Sequence, residues 1–312
     1  MMNIASILGA GGAIGNALAN ELTGRGKEVR LVSRSGYSMP GTRAICADLT
    51  HLSQTIEAVR GSDTVFFCAG LPYDHKVWEK SWPRMAMHTI EACKRAGAKL
   101  IFFDNVYMYG LVKGKMIEKT PYYPCSKKGE VRAEISRILS NEMKSGGVHV
   151  SVARAADIYG PYATSTSIPF LMVFKKLLEG KKAQWLVNGQ TTHTFSYTTD
   201  CAKALILLAE DESTFNQVWH LPTCNPGISA EQFIEMAARE LSVRADYRLL
   251  KKWMIVLGGL FDTTIRESYE MLYQYEYDYV FDSSKFEKYF QFEPTSYSLG
   301  IAETINFLKS GR

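Results

Sequence analysis

Seven residues near the start of the chain, Gly9-Ala10-Gly11-Gly12-Ala13-Ile14-Gly15, constrain its fold more than any other stretch. They follow the apolar run NIASIL and open the amphipathic run AIGNALANELTGRG, so the glycines fall at a strand-to-helix turn. Glycine takes a left-handed backbone there without penalty and lets a phosphate approach closely, while the first helical turn offers free N–H donors and a partial positive charge. Such a turn at the first strand of an α/β chain is a cradle for a dinucleotide pyrophosphate, formed by Gly9, Gly11, Gly12, Ala13, Ile14 and Gly15. The plainer alternative is a glycine-rich turn in a sheet that binds nothing.

The rest of the first half supplies the context that the loop needs. β-rich runs near 3–8, 28–33, 43–47, 63–68, 99–104 and 148–154 alternate with amphipathic stretches at about 13–24, 52–60, 82–96 and 127–145. Each stretch is long enough for a right-handed crossover, so the pattern predicts a parallel, doubly wound Rossmann sheet with helices on both faces. Beyond residue 165, Pro169, Gly180, Gly189, Pro222, Pro226 and Pro294 punctuate mixed helices and short strands. We therefore expect a nucleotide-binding domain over 1–165 and about 190–221, and a smaller α/β substrate lobe over 166–189 and 222–312. In the lobe, Ser229-Ala-Glu-Gln232 reads as a capping box that starts a helix.

Composition removes several other classes. With 312 residues, 46% hydrophobic and 22% charged, the chain has the usage of a globular protein rather than of a disordered or disulfide-stapled one. Its 36 basic and 32 acidic side chains are interspersed, for a net charge of +4, which leaves no electrostatic footprint for nucleic acid. The longest apolar run, Trp253 to Phe261, is far short of the roughly 20 residues that span a bilayer. Neither a membrane segment nor a membrane partner is expected. The first residues, MMNIASILGAGG, lack the basic start and cleavage site of a signal peptide, which points to the cytoplasm. The cysteines Cys46, Cys68, Cys93, Cys125, Cys201 and Cys224 form no C-x-x-C pair, and no histidine stands at metal-ligand spacing, so no metal site is predicted.

The glycine spacing G-x-x-G-x-x-G resembles that of the short-chain dehydrogenase/reductase superfamily, and the chain length resembles its extended, epimerase/dehydratase-like branch. The resemblance implies a nicotinamide dinucleotide. The second strand, EVRLVS, ends in Ser33-Arg34 where a carboxylate would grip the ribose 2′-hydroxyl; a guanidinium favours a 2′-phosphate, so NADP is expected over NAD. Alternatively, Arg34 is a solvated residue ending its strand. Asp48-Leu49 resembles the superfamily's adenine-contacting pair, and Cys68-Ala69-Gly70 its small-residue turn after the fourth strand. An Asp after a strand is equally an ordinary cap.

In the extended branch a Ser or Thr after the fifth strand works with a Tyr and Lys in a Y-x-x-x-K helix start. The lysine favours the phenolate and holds the nicotinamide ribose, and a third donor polarises the substrate oxygen. Here Tyr123-Pro-Cys-Ser-Lys127 has that spacing and opens a predicted helix. Two other registers stay open: Lys128-Gly129 would set Pro124 at the tyrosine position, and Pro121-Tyr122 would set Ser126 at the lysine position. After the fifth strand, Phe103-Asp-Asn-Val-Tyr-Met-Tyr-Gly110 puts Asn105 at the Ser/Thr position, where an amide orients an oxygen but cannot relay a proton as a hydroxyl does. The bland readings are a half-buried loop aromatic for Tyr123, a solvated first-turn pair for Lys127 and Lys128, and a turn residue for Asn105.

Arg154-Ala155-Ala-Asp157-Ile158-Tyr159-Gly-Pro161 resembles the branch's R-P-x-N-V-Y-G-P run, which passes beside the nicotinamide. The resemblance thus assigns Ala155, Asp157 and Ile158 to the cofactor and Tyr107, Tyr159 and His193 to the substrate. His193 stands where relatives that bind nucleotide sugars carry an arginine, and imidazole has no bidentate fork for a diphosphate. The expected protein is an NAD(P)-dependent oxidoreductase or epimerase acting by hydride transfer on a small hydroxyl or carbonyl substrate. A nucleotide-sugar epimerase or dehydratase, and a non-catalytic NADP-binding sensor or scaffold, are the alternatives. The late run of Glu267, Tyr269, Glu270, Tyr273, Tyr275, Tyr277 and Tyr279 suits a pocket wall, a dimer surface or a lobe core equally. Trp78, Trp82 and Met85 resemble a homodimer face, with core packing as the other explanation.

Overall fold

A computed structural model describes residues 2–311. Seven strands form one parallel sheet: β1 (Ile4–Leu8), β2 (Glu28–Ser33), β3 (Thr42–Cys46), β4 (Thr64–Phe67), β5 (Lys99–Asp104), β6 (Val150–Arg154) and β7 (Gln217–His220). Their order across the sheet is β7-β6-β5-β4-β1-β2-β3, so the direction of winding reverses between β1 and β4. Ligands of open α/β sheets bind outside the carboxyl ends of the strands at such a reversal. Successive side chains enter opposite cores. Ile7, Leu31, Phe66 and Ile101 pack beneath α1 (Ala13–Gly24) and α5 (Thr198–Glu210). Leu8, Val32, Val65, Phe67, Leu100 and Phe102 pack beneath α2 (Leu52–Val59), α3 (His75–Ala96) and α4 (Lys127–Ser145). Burial on both faces explains the continuous apolar runs of the central strands.

Two elements differ from the expected ones. α3 begins at His75 rather than at residue 82, because Asp74 caps it through Lys76 N and Val77 N. The helix carries Pro83 in its interior, where burial of Trp78 and Trp82 outweighs the lost hydrogen bond. β7 was not among the expected strands; it pairs with β6 and completes the sheet.

Four short strand pairs carry the remainder: Asp157–Tyr159 with Phe195–Tyr197, Thr192–His193 with Ile228–Ser229, Ala183–Leu186 with Tyr247–Leu250, and Lys115–Met116 with Val280–Phe281. A further core holds Trp185, Phe195, Phe233, Ile255 and Tyr275. Ser229 and Gln232 form the predicted reciprocal cap on α6 (Ala230–Glu240). No helix among the described residues is long and apolar enough to cross a membrane.

Candidate functional site

The glycine turn sits at the carboxyl end of β1. Gly9 has φ +101°, and a Cβ on it would lie 2.3 Å from the Ala69 Cα, so the loops after β1 and β4 meet backbone to backbone. Gly15 is closed in similarly, by the Gly9 carbonyl at 2.9 Å. Gly12 caps α1 without a side-chain partner, which leaves the first-turn N–H groups, including those of Ala13 and Ile14, directed outward from the helix start. Gly11 N–H is taken by Asn16 Oδ1 at 3.1 Å, and the Tyr37 ring lies over Gly11. Tyr37 is also tied to Asn16 Nδ2 at 3.1 Å and to Ser33, whose hydroxyl accepts from Tyr37 N at 2.9 Å. No motif announced Tyr37 or Asn16, since their placement depends on how the β2–β3 loop folds back.

Around that turn stand the other nucleotide candidates. Arg34 is exposed at the end of β2. Asp48 accepts from Thr50 N and Oγ1 at 2.9 and 2.8 Å, and these bonds, with lesser help from His51 and Arg34, hold its carboxyl below the usual range. Leu49 is buried, and its carbonyl contacts His88 Nδ1 at 3.1 Å. Burial pushes the Cys68 thiol up to about 12, while Gly70 has open space beside it. Ala155 N–H donates to the Asp104 carbonyl at 3.0 Å, linking β6 to β5, and Ile158 lies in the short strand that follows. A strained, close-packed turn facing unpaired helix N–H groups is a fit for a dinucleotide pyrophosphate.

The catalytic candidates separate. Tyr123 is 75% exposed, and among the described residues its side chain has no hydrogen-bond or ring partner. Its neighbour Tyr122 turns inward and accepts from Arg154 at 2.6 Å. Lys127 is exposed, with Nζ 3.4 Å from His75 Nε2. Lys128 is fully buried instead: Nζ donates to Glu267 Oε2 at 2.6 Å, Glu270 Oε1 at 2.9 Å and the Glu267 carbonyl at 2.9 Å, and lies 4.6 Å from the Tyr73 ring centre. The two lysines are therefore not a solvated pair. Burial raises the Glu267 carboxyl, but bonds from Lys128 and His75 overcome it and hold it at about 2. Asp74, His75 and Glu267 offer three ligand-type atoms within 4.8 Å, although the Lys128 ammonium already occupies Glu267 Oε2.

Asn105 Oδ1 accepts from Tyr107 N at 3.1 Å, the local turn contact. The preceding Asp104 is buried, accepts from Asn105 N at 2.9 Å and pairs with Arg132 at 3.1 Å. Tyr107 stacks on Trp78 and couples to the Tyr73 phenol; burial first, then the Asp157 charge, pushes it up to about 12. Asp157 Oδ2 accepts from Tyr275 OH at 2.8 Å and lies 3.1 Å from His193 Nε2. His193 is buried between the Tyr275 and Tyr279 rings, with centroids at 5.3 and 4.4 Å. Tyr159 is enclosed by Phe195, Tyr197, Phe233 and Tyr297, in the core that also holds Trp185. The structure thus gathers Tyr73, Tyr107, Asp157 and Tyr275 and leaves Tyr159 apart. Tyr73 carried no sequence signal. Tyr269 and Tyr277 are exposed, whereas Tyr275 and Tyr279 are buried.

The seam behind this cluster is polar and closed. Arg154 donates to Tyr109 OH at 2.7 Å; the Tyr109 hydroxyl lies 2.8 Å from His220 Nε2, whose Nδ1 is 2.9 Å from the Asp282 carbonyl. The Nδ1–H tautomer satisfies all three groups. Burial, reinforced by the Arg154 charge, brings the His220 pKa down to about 3.

Comparisons with known proteins agree with this architecture. The model of the NAD dependent epimerase/dehydratase family matches residues 5–219. A Bacillus subtilis (strain 168) protein described as an uncharacterized UDP-glucose epimerase is 25% identical over 169 residues, covering 52% of this chain and 51% of that protein. Human sterol-4-alpha-carboxylate 3-dehydrogenase, decarboxylating, is 25% identical over 239 residues, covering 71% and 62%. The chain therefore spans about half to under two thirds of these curated relatives. Among solved structures, Bacillus anthracis dTDP-glucose 4,6-dehydratase with NAD has a TM-score of 0.80 at 18% identity, covering 99% of this chain and 97% of that one. Bacillus cereus UDP-glucuronic acid 4-epimerase with UDP-glucuronic acid and NAD also has 0.80 at 18%, covering 99% and 100%. At these identities the structures share the fold.

Proposed function

Because the chain belongs to the NAD dependent epimerase/dehydratase family, we propose that it is a nicotinamide-dependent enzyme acting on a hydroxyl or carbonyl carbon of a small molecule. The observation that carries this reading is the contact of Gly9 with Ala69 beside the uncapped start of α1, a site shaped for pyrophosphate. The bound nicotinamide would supply hydride exchange. The chain's residues would hold its phosphates at Gly11 to Gly15, its adenine side near Asp48 and Leu49, and its nicotinamide side near Cys68 to Gly70 and Ala155 to Ile158.

For the cofactor we favour NADP. Arg34 is exposed at the ribose end of β2, and no carboxylate stands at Ser33 to repel a 2′-phosphate. The opposing consideration is that the solved relatives above hold NAD.

For acid–base chemistry, Tyr123, Lys127 and Asn105 are the assignment by spacing. Burial and proximity favour a different set: Lys128 as the buried cation and the coupled Tyr73–Tyr107 phenols as the proton-bearing groups. The second reading, a nucleotide-sugar epimerase or dehydratase, draws support from the relatives; the enclosure of His193 between two tyrosine rings counts against diphosphate recognition there.

The test is calorimetric titration of NADP and NAD into the protein and into Arg34→Ala. We expect NADP to bind at least tenfold tighter, a difference of about 1.4 kcal/mol, and the variant to lose that preference. Failure of both nucleotides to bind would overturn the functional reading.

A further inference from the structure

The segment from Lys251 to Arg266 inverts the usual polarity of a surface helix. α7 (Lys252–Gly258) and α8 (Thr263–Ser268), joined by a tight turn, form a hairpin in which Trp253, Val256, Leu257 and Leu260 recur at the i, i+3, i+4, i+7 spacing of a buried stripe. That stripe faces solvent. Trp253 is 57% exposed, Leu260 72% and Phe261, at the tip, 93%; Ile265 on α8 extends the patch. Ile255 is what anchors α7 to the lobe core.

What flanks the patch selects its occupant. Lys251 and Arg266 bracket it and, among the described residues, neither has an acidic partner. Lys252 lies between them and is paired with Glu276 at 2.6 Å. Of the hairpin's two acidic residues, the exposed Asp262 caps α8, accepting from Ile265 N at 3.0 Å, and Glu267 is turned away to Lys128 Nζ and His75. A protruding aromatic and aliphatic tip with a basic rim matches the boundary of an anionic lipid leaflet, where rings enter the acyl edge and cations meet headgroups. A second copy fits less well. Two-fold pairing of the patch would bring two basic rims together.

We propose that the α7–α8 hairpin is a peripheral docking site for an anionic lipid surface. This departs from the sequence expectation of no membrane partner, which rested on the lack of a spanning run, a criterion blind to interfacial insertion. α8 itself carries Glu267 and runs on to Glu270, both bonded to Lys128, so docking would bring the Lys128 cluster toward the bilayer.

The experiment is co-sedimentation of the full chain with vesicles of phosphatidylcholine alone and with about 30% phosphatidylserine, alongside the double variant Leu260→Asp/Phe261→Asp. We expect pelleting with the anionic vesicles that weakens with salt and falls at least tenfold in the double variant, while its thermal unfolding and NADP titration stay unchanged. Brominated lipids should quench tryptophan emission in the native chain and not in Trp253→Phe. Absence of pelleting, or equal pelleting of the double variant, would overturn the proposal. So would a native dimer that the double variant renders monomeric without vesicle binding, which would assign the patch to contacts between copies. NADP binding is read separately, so failure here leaves the cofactor reading standing.

Discussion

The ammonium of Lys128 lies 2.6 Å from the carboxylate of Glu267, a contact that ties the first turn of α4 to a segment 139 residues further along the chain. With Glu270 and His75 it forms a closed charge cluster. Removing the cation leaves two carboxylates facing each other in a poorly hydrated place. Lys128→Met should therefore lose about 3–5 kcal/mol of stability. Lys127→Met, which removes an exposed side chain, should stay within about 0.5 kcal/mol. Urea unfolding of the two variants side by side checks the contrast.

The same cluster has a pH signature. Glu267 has its folded pKa depressed from 4.5 to about 2, so its stabilisation is complete above pH 4.5 and is lost as the pH falls toward 2. The shift corresponds to something on the order of 3 kcal/mol. Glu267→Gln should be less stable than the native chain at pH 7, with the gap closing between pH 4.5 and 2. A gap that stays constant over that window, measured by denaturant midpoints, would contradict the assignment.

His220 provides an independent case of opposite charge type. Its folded pKa near 3 lies below the ordinary 6.5, so the folded state holds it neutral and the stability it contributes is present above 6.5 and lost as the pH falls through that interval. Its ring protons should show no titration between pH 5 and 8 in an NMR series. Tyr109→Phe strips Arg154 and His220 of a shared partner and should cost about 2 kcal/mol.

At the glycine turn, Gly9→Ala demands a left-handed alanine with its Cβ 2.3 Å from backbone, and so should cost more than about 2 kcal/mol and abolish nucleotide titration heat. Gly70→Ala, with open space beside it, should leave unfolding unchanged within about 0.5 kcal/mol.

These residues also mark how far the sequence could be read. The glycine turn, the α4 start behind Ser126 and the Ser229 cap were legible because each depends on neighbours within a few positions. The inward turn of Lys128 was not, because adjacent residues at a helix start differ only in which of them meets a distant carboxylate. Nor was the Asp157, His193 and Tyr275 contact, which joins three segments whose spacing carries no period. The start of α3 at His75 rather than near residue 82 was not legible either, because Trp78 and Trp82 are held in the helix by packing against a sheet formed elsewhere.

The late arrival of β7 bears on how the chain is made. Its partner β6 ends at Arg154, yet the strand that covers it begins at Gln217. During synthesis the sheet accordingly stands for a time with an apolar strand, Val150 and Val152 included, offering unpaired backbone at its rim. Nascent chains stalled between those two strands should be the aggregation-prone species of this protein, recruiting holdase chaperones until Gln217–His220 pairs with the apolar β6 and takes over the edge.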